Sequence, residues 1–329
     1  MSIDLRSVPV LVPGKLHEHA VARIGKTFRL LAIDSIDPAL VTPELRDTVR
    51  GVAASPAIGG SFVGADFLRA LPHVEIVANF GVGYDGVDAA YAGGPGIMVT
   101  NTPHVLTEEV ADTALALLLA TVRELPRAER WLRDGDWVRK GNFRLSPLTL
   151  RGRRVGIFGL GRIGLAVAHR LEAFGVQVSY HNRRRVEGVA YAYHPTLKAL
   201  AEAVDTPVCI APGGAATEKA IDAEILAALG ADGVLVNIGR GSTVDEAALA
   251  AALAGGTIAA AGLDVFADEP NVPQALLDAP NTVLLPHIGS ASVHTRRAMA
   301  DLCVDNLVSW FTDRRALTPV PETAHVKAK

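Results

Sequence analysis

Residues 154–164 read RVGIFGLGRIG, and the fold can be deduced outward from this stretch. Val155, Ile157 and Phe158 suit a strand that is covered on both faces. Apolar residues then recur at helical spacing over 165–171, so the chain turns here from a buried strand into a helix. The turn itself has the pattern G-x-G-x-x-G, which indicates a site for the pyrophosphate of a dinucleotide.

The three glycines of this turn have different predicted roles. Gly159 permits the tight turn, Gly161 lets main-chain N–H groups approach a phosphate, and Gly164 lets the helix pack closely on the strand. A pattern of this kind also occurs in ordinary loops. A second predicted strand at 176–180 follows at the distance that a βαβ unit requires, which favours the dinucleotide interpretation.

The residues after this second strand indicate which dinucleotide binds. An NAD site would place Asp or Glu there, but the chain has His181-Asn182-Arg183-Arg184-Arg185. A guanidinium can hold a 2′-phosphate with two charge-assisted hydrogen bonds. At about 1.5–3 kcal/mol for each bond, two of them favour NADPH over NADH by roughly a hundredfold or more. The alternative interpretation is a solvated basic turn.

The composition bounds the function. The chain has 329 residues, enough for two domains, and its formal net charge of −3 does not predict nucleic acid or a membrane as a partner. Cys209 and Cys303 are the only cysteines, so we expect no disulfide framework and no metal site, and a reducing, cytoplasmic location. Residues 1–6 do not resemble the start of a signal peptide. The apolar segment 110–122 is too short to span a bilayer, which favours a buried or interface helix.

Strands and helices are predicted to alternate along the chain. In the first part, strands are expected at 8–12, 28–32, 51–55, 74–79 and 97–100, with helices at 17–24, from 43, and at 64–70. In the second part, strands are expected at 207–211, 233–238, 259–264 and 282–285, with helices at 107–122, 123–140, 196–203, 222–229, 246–254 and 290–311. This order predicts an α/β protein with a Rossmann-type, doubly wound parallel sheet and a separate first domain.

A second glycine-rich segment follows the predicted strand at 74–79. Residues 80–88 read FGVGYDGVD, and such a loop can present several main-chain N–H groups to one small carboxylate. A plain turn is the alternative interpretation.

Three polar residues stand at predicted strand ends of the second part, where ligands bind in open α/β sheets. They are Arg240, Glu269 and His287. Reduction of a 2-oxo acid needs a cation for the substrate carboxylate and carbonyl, and a proton donor for the carbonyl oxygen. Arginine supplies the first and histidine, with an ordinary pKa near 6.5, the second, while a neighbouring carboxylate favours the protonated ring and fixes its orientation. Taken singly, each residue also fits a surface charge, a turn residue or a polar side chain without a catalytic role.

Six motifs together resemble the D-isomer-specific 2-hydroxyacid dehydrogenases, most of all the glyoxylate/hydroxypyruvate reductases and the plant-type hydroxyphenylpyruvate reductases. The motifs are NFGVGYDGVD, NTPHVLTEEVADTALALLLA, RRVGIFGLGRIG, NIGRGSTVDE, AGLDVFADEP and LLPHIGS. The resemblance runs from about residue 74 to 319. It implies a discontinuous, flavodoxin-like substrate-binding domain (1–100 and 288–329), a dinucleotide-binding domain (101–287), and a homodimer through the 107–122 helix region.

The resemblance also implies roles for individual residues. Arg240 would orient the substrate, Glu269 would pair with His287, and His287 would be the general acid; Val82 and Gly83 would bind the substrate carboxylate with Arg240 and His287. The cofactor-binding residues would be Thr107, Gly159, Gly161, Arg162, Ile163, Gly164, Asn182, Arg183, Arg184, Ala211, Pro212, Thr217, Ile238, Asp264, His287 and Gly289. Where relatives often have a CPLTPET-like loop, residues 211–217 read APGGAAT, which predicts a more flexible loop.

The sequence therefore predicts NADPH-dependent reduction of a small 2-oxo acid, glyoxylate or hydroxypyruvate, to the D-2-hydroxy acid. One alternative keeps this chemistry on a bulkier 2-oxo acid such as hydroxyphenylpyruvate or 2-ketogluconate. Another is a nucleotide-sensing interaction protein, which would not need Arg240, Glu269 and His287 together. We expect Trp131 and Trp137 to be packing residues.

Overall fold

The computed structural model describes residues 4–55 and 62–328. Contacts divide the chain into two compact units: unit 1 is Met1–Leu106 with Ser292–Lys329, and unit 2 is Thr107–Ala291. Unit 1 is discontinuous in sequence. The divisions after residues 106 and 291 lie six and four residues beyond the expected ones at 100 and 287, so 288–291 belong to unit 2 and 101–106 to unit 1.

The strands of the described chain are β1 Pro9–Pro13, β2 Arg29–Ile33, β3 Gly51–Ala54, β4 Ile76–Asn79, β5 Met98–Thr100, β6 Arg154–Phe158, β7 Gln177–His181, β8 Ala192–His194, β9 Thr206–Cys209, β10 Val234–Asn237, β11 Ala260–Leu263 and β12 Thr282–Leu284. The helices are α1 Glu18–Thr27, α2 Pro43–Thr48, α3 Ala65–Ala70, α4 Ala89–Gly93, α5 Thr107–Val122, α6 Leu125–Arg133, α7 Asp136–Lys140, α8 Arg162–Glu172, α9 Leu197–Ala203, α10 Ala223–Leu229, α11 Glu246–Ala254, α12 Gln274–Leu277 and α13 Val293–Asp313.

Unit 1 is a parallel five-stranded sheet in the order β2-β1-β3-β4-β5. This is the flavodoxin-like order. The strands β1, β3, β4 and β5 are buried along their length, as expected for parallel strands with helices on both faces. Helix α13 returns from the end of the chain to this unit and contacts α1 and β4. Arg23 of α1 fixes that pairing through ion pairs to Asp301 and Asp305 of α13.

Unit 2 is a parallel seven-stranded sheet in the order β12-β11-β10-β9-β6-β7-β8. Chain order reverses between β6 and β9, so a crevice for a ligand is expected at the carboxyl ends of these strands. The predicted doubly wound Rossmann-type sheet is therefore confirmed. Strand pairing aligns the last residues of three strands, since Phe158 lies beside His181 on one side and Cys209 on the other.

Helix α5 is packed inside unit 2. Its apolar side chains contact α8 and the strand β11. The approach to β11 is close, because a Cβ atom at Gly262 would lie 2.5 Å from the Thr121 hydroxyl. Arg170 of α8 holds the other end of α5 through ion pairs to Glu108 and Asp112. Within residues 4–55 and 62–328, no helix is long and apolar enough to cross a membrane.

The structure corrects the sequence prediction between residues 123 and 140. The expected single helix is two helices, α6 and α7, because Gly135 takes a positive φ of 72° and ends the first. Trp131 packs edge-on against Phe143, as expected for a packing residue. Trp137 is 57% exposed, so the packing expected for it is not found among residues 4–55 and 62–328. The short elements α4, β8 and α12 were not predicted.

Candidate active site

The glycine turn after β6 has the geometry that its pattern predicts. Gly159 has a φ of 103°, and a Cβ atom there would lie 2.7 Å from the Ala211 nitrogen. A Cβ atom at Gly164 would lie 2.5 Å from the Gly159 oxygen. Gly161, by contrast, has nothing within 4 Å of a Cβ position among the described residues. Two glycines are thus required by packing, whereas the space beside the third leaves room for a ligand.

The N-terminus of α8 is open beside this space. The helix begins at Arg162, which is exposed, and its first intrahelical bond runs from the Leu165 nitrogen to the Gly161 oxygen. The N–H groups of the first turn, including that of Ile163, therefore have no intrahelical acceptor and carry the positive end of the helix dipole. A dinucleotide pyrophosphate fits this arrangement.

Asn182 ties the loop after β7 to the glycine turn. Its Oδ1 accepts a hydrogen bond from the Leu160 nitrogen at 2.6 Å, and its Nδ2 donates to the Leu160 oxygen at 3.2 Å. The side chain therefore holds protein main chain, and any contact with a cofactor would add to that role.

Arg183, Arg184 and Arg185 follow Asn182 and are all exposed. Within residues 4–55 and 62–328, none of the three guanidinium groups forms a hydrogen bond or an ion pair. Three cations beside a dinucleotide turn, without a carboxylate partner, suit a 2′-phosphate. The residues present thus fit NADP(H).

The loop that departs from the family pattern lies beside the same turn. The Ala211 main chain packs closely against Gly159, because a Cβ atom added at Gly159 would lie 2.7 Å from the Ala211 nitrogen. Thr217 closes the loop by donating from its hydroxyl to the Pro212 oxygen at 2.6 Å and to the Gly214 oxygen at 3.2 Å. Thr107, also expected at the cofactor, is the first residue of α5.

The strand register brings the carboxyl ends of β10, β11 and β12 together. Asn237 pairs with Leu263, and Leu263 with Leu284. The segments that follow these strands carry Arg240, Glu269 and His287 respectively. This alignment explains how three residues far apart in sequence reach one edge of the sheet.

His287 and Glu269 form a hydrogen-bonded pair, with 2.7 Å between Nδ1 and Oε2. The other carboxylate oxygen accepts the Phe266 N–H at 3.0 Å. Burial acts to raise the pKa of Glu269, but the bond and charge of His287, the Phe266 N–H and the charge of Arg240 outweigh it, so this pKa lies below its usual range. Because an ionised carboxylate only accepts, Nδ1 carries the proton and Nε2 is left for a substrate.

Asp264 fixes the main chain around the histidine. Its two carboxylate oxygens accept the Ile288 N–H at 2.7 Å and the Gly289 N–H at 2.8 Å, and its main-chain oxygen accepts the His287 N–H at 2.8 Å. His287 itself has a φ of 53°, a left-handed conformation that this set of bonds holds in place. Burial raises the pKa of Asp264 above its usual value. The family resemblance placed Asp264, Ile238 and Gly289 at the cofactor, but it gave no sign of this positioning role of Asp264. Ile238 is buried, and its side chain lies 3.4 Å from the position that a Cβ atom would take at Gly289.

Arg240 is held on a turn that packs against the segment carrying Glu269. Asn237 and Thr243 both donate side-chain hydrogen bonds to the Arg240 oxygen, at 2.9 and 2.6 Å. A Cβ atom at Gly241 would overlap the Phe266 carbonyl, so the two turns touch main chain to main chain. The guanidinium is half-buried, with Nη1 donating to the Gly239 oxygen at 2.8 Å.

In unit 1, two asparagines hold the glycine-rich loop that follows β4. Asn79 Nδ2 donates to the oxygens of Gly81 and Gly83, at 3.1 and 3.0 Å, and Asn101 Nδ2 donates to the Val82 oxygen at 2.8 Å. Within the described parts of the chain, the Val82 and Gly83 N–H groups have no hydrogen-bond partner. The loop carbonyls are thus used and the amides are left for an anion. Sequence reasoning found the glycines but missed Asn79 and Asn101, whose only signal is an asparagine at the end of each strand.

Unit 2 thus brings together Arg240, Glu269 and His287 at one sheet edge. It places the glycine turn after β6, and after β7 it places residues 182–186, called the arginine loop below. Val82 and Gly83 belong to unit 1. Among residues 4–55 and 62–328, no group of three or more His, Cys, Asp or Glu side chains could hold a metal ion. The arrangement offers a proton donor, a cation and a dinucleotide turn, which is the set that hydride transfer to a 2-oxo acid requires.

Comparison with known proteins agrees with this set of functional groups. The model of the D-isomer specific 2-hydroxyacid dehydrogenase NAD binding domain matches residues 115–289. Glyoxylate/hydroxypyruvate reductase A of Arabidopsis thaliana is 42% identical, covering 96% of this chain and 100% of that protein. Hydroxyphenylpyruvate reductase of Plectranthus scutellarioides is 47% identical, with the same two coverages.

A solved structure shows the same relationship over the whole chain. It is the NADPH-dependent glyoxylate/hydroxypyruvate reductase of Sinorhizobium meliloti in complex with NADP and malonate, 59% identical, with a TM-score of 0.94 and coverage of 98% of this chain and 99% of that one. The chain therefore belongs to the D-isomer specific 2-hydroxyacid dehydrogenase family.

Proposed function

We propose that this protein is an NADPH-dependent reductase of small 2-oxo acids, with glyoxylate and hydroxypyruvate as substrates and the D-2-hydroxy acid as product. The observation that carries the proposal is the 2.7 Å bond between His287 Nδ1 and Glu269 Oε2, beside a cationic Arg240. The relatives that match nearly full length support the substrate class, since two of the three reported above are glyoxylate/hydroxypyruvate reductases.

NADPH held by the glycine turn, the N-terminus of α8, Arg183 and Arg184 would supply a hydride for the carbonyl carbon of the substrate. His287 is the general acid: its Nε2 gives a proton to the carbonyl oxygen, and Glu269 stabilises the protonated ring and holds its orientation. Arg240 binds the carboxylate and polarises the carbonyl. In unit 1, the Val82 and Gly83 N–H groups are left to bind an anion such as a carboxylate through the main chain. Asp264 keeps His287 in the left-handed conformation that directs its ring.

The cofactor preference rests on Arg183 and Arg184. Both are exposed at the end of β7, where an NAD-specific relative would carry an acidic residue. Their guanidinium groups would bind the 2′-phosphate, with the N-terminus of α8 holding the pyrophosphate.

Initial rates of cofactor oxidation test the proposal directly. Glyoxylate, hydroxypyruvate and phenylpyruvate are each assayed with NADPH and with NADH. We expect fast turnover of the two small acids and strong preference for NADPH. The variant Arg183→Ala/Arg184→Ala should lower the NADPH-to-NADH ratio of kcat/KM about a hundredfold by raising the KM for NADPH, because two charge-assisted bonds are lost.

Arg151→Ala is the matched control, since this exposed arginine precedes β6 and lies away from the β7 loop in sequence. Equal use of NADH and NADPH by the unaltered protein would make the arginine loop a solvated turn. Loss of both cofactors alike in the double variant would indicate damage to the fold in place of lost phosphate recognition.

A bulkier 2-oxo acid is the second candidate substrate. The relative of 47% identity is a hydroxyphenylpyruvate reductase, and 2-ketogluconate would need the same chemistry. Fast turnover with phenylpyruvate alone would assign a bulkier 2-oxo acid as the substrate and leave the proposed mechanism unchanged. Binding of NADPH without turnover of any acid would favour the nucleotide-sensing alternative.

We also propose a cytoplasmic homodimer. The interface would use the 107–122 helix region, much of which is buried within unit 2, together with the segment that follows it, where apolar side chains are exposed: Leu125, Leu132, Trp137, Val138 and Leu145. Such a cluster is typical of an interface. Val138→Asp/Leu145→Asp is expected to convert a dimer to a monomer in light scattering. Val293→Asp, at a residue that is also largely exposed but lies in unit 1, should not. A protein that is monomeric before substitution would exclude this surface as a dimer interface.

A further inference from the structure

The Tyr180 side chain holds the arginine loop through the main chain of Val186. Tyr180 is the penultimate residue of β7 and is fully buried. Its hydroxyl accepts a hydrogen bond from the Val186 N–H at 2.9 Å and lies 3.3 Å from the Val186 oxygen, to which it donates. The hydroxyl thus both accepts from and donates to the main chain of Val186, and these two bonds close residues 180–186 into a loop.

The start of the arginine loop, at Asn182, is also held by hydrogen bonds. Asn182 is bound to the main chain of Leu160, and the Tyr193 hydroxyl donates to the Asn182 oxygen at 3.3 Å. The rings of Tyr180 and Tyr193 are in contact, with centroids 5.4 Å apart. Residues 183–185, which carry the three arginines, therefore project from a segment fixed at both ends.

We infer that Tyr180 is a positioning residue for recognition of the 2′-phosphate of NADP(H), acting through the loop 182–186; the inference rests on the NADPH preference proposed above. The arginines have no partner within the described residues to fix them, so their placement depends on the main chain that bears them. A loop that is already ordered loses less conformational entropy when a ligand binds. Tyr180 is buried and its hydroxyl is occupied by Val186, so it does not act by touching the phosphate.

Tyr180→Phe tests the inference, since it removes the hydroxyl and keeps the buried ring. Binding is measured by calorimetry with 2′,5′-ADP, which carries the 2′-phosphate, and with 5′-AMP, which lacks it. We expect the Kd for 2′,5′-ADP to rise about fivefold or more, because Tyr180→Phe removes two neutral hydrogen bonds and the loss of one already corresponds to about fivefold. The Kd for 5′-AMP should stay unchanged, because the glycine turn and α8 are not altered. In initial rates, the KM for NADPH should rise while kcat and the KM for NADH are kept.

Two further variants separate positioning from a general structural role. Tyr191→Phe is the matched control: its hydroxyl binds Glu172 at 2.6 Å, outside the loop, and its loss should change neither Kd. Tyr193→Phe removes the hydrogen bond to Asn182, at the other end of the loop. Because the Tyr193 side chain is less buried than that of Tyr180, this variant should fold. It should weaken 2′,5′-ADP binding, as Tyr180→Phe does.

Three results would overturn the inference. Unchanged 2′,5′-ADP binding in Tyr180→Phe would show that the loop does not need this hydroxyl, whatever the result for Tyr193→Phe. Equal weakening of 2′,5′-ADP and 5′-AMP would show a structural role only. If the unaltered protein bound the two nucleotides equally, the proposed NADPH preference itself would be wrong, and that failure is recognised before any variant is made.

Discussion

Replacement of His287 by alanine is expected to lower kcat for reduction of glyoxylate or hydroxypyruvate by about 10²–10⁴-fold, the usual contribution of a positioned general acid. The imidazole is the proposed proton donor, and unit 2 holds it against an ionised carboxylate, with 2.7 Å between Nδ1 and Glu269 Oε2. Binding of NADPH should stay nearly intact, because the glycine turn and the arginine loop are not altered. Single-turnover rates and a binding titration with NADPH measure the two effects separately.

His73→Ala is the control for this prediction, since His73 is an exposed histidine in unit 1 that precedes β4. It should keep full activity. A His287→Ala variant that retained most of its turnover would show that the proton comes from another group. A variant that lost NADPH binding as well would show that the imidazole contributes mainly to the cofactor site.

The sequence predicted those parts of the fold that depend on local patterns. The strand, glycine turn and helix of 154–164 follow from residue spacing alone, and the roles of Gly159 and Gly164 agree with the close contacts that their missing Cβ atoms permit. The parallel strands were found because strands buried on both faces read as apolar runs. The two-helix arrangement of 123–140 was missed because one positive φ, at Gly135, outweighs a continuous helical pattern.

The parts of the site that depend on distant contacts were less accessible. Arg240, Glu269 and His287 were singled out as polar residues at predicted strand ends, and the family resemblance implied their roles. The structure brings Glu269 and His287 together through strand register that the sequence does not show. Asp264 was assigned to the cofactor because its motif suggested it, yet both of its oxygens bind main chain around His287. Tyr180 carried no signal, since a tyrosine in a strand has the same pattern as any packing residue.

Replacement of Gly241 by alanine is expected to remove activity and to destabilise the fold. The added Cβ would overlap the Phe266 carbonyl and the Ala267 nitrogen, which are main-chain atoms and cannot rotate away. Overpacking of this kind costs about 1–3 kcal/mol or more, so we expect the Tm to fall by about 2 °C or more. Phe266 donates its N–H to Glu269 Oε1, and Glu269 in turn holds His287. A displaced Phe266 would therefore misdirect the imidazole, and kcat should fall at least about tenfold even in the protein that remains folded.

Gly25→Ala is the matched control, because this glycine lies within α1 and a Cβ atom there would meet only the Leu30 Cδ2 atom at 3.5 Å. Alanine in a helix is favoured over glycine by up to about 1 kcal/mol, so this variant should be as stable as the unaltered protein or more so, and fully active. Thermal unfolding and initial rates distinguish the two substitutions. If Gly241→Ala had an unchanged Tm and full activity, the turn of Arg240 and the segment of Glu269 would not be in main-chain contact. The alignment of His287 would then depend on Glu269 and on the bonds of Asp264 to Ile288 and Gly289, without a contribution from Gly241.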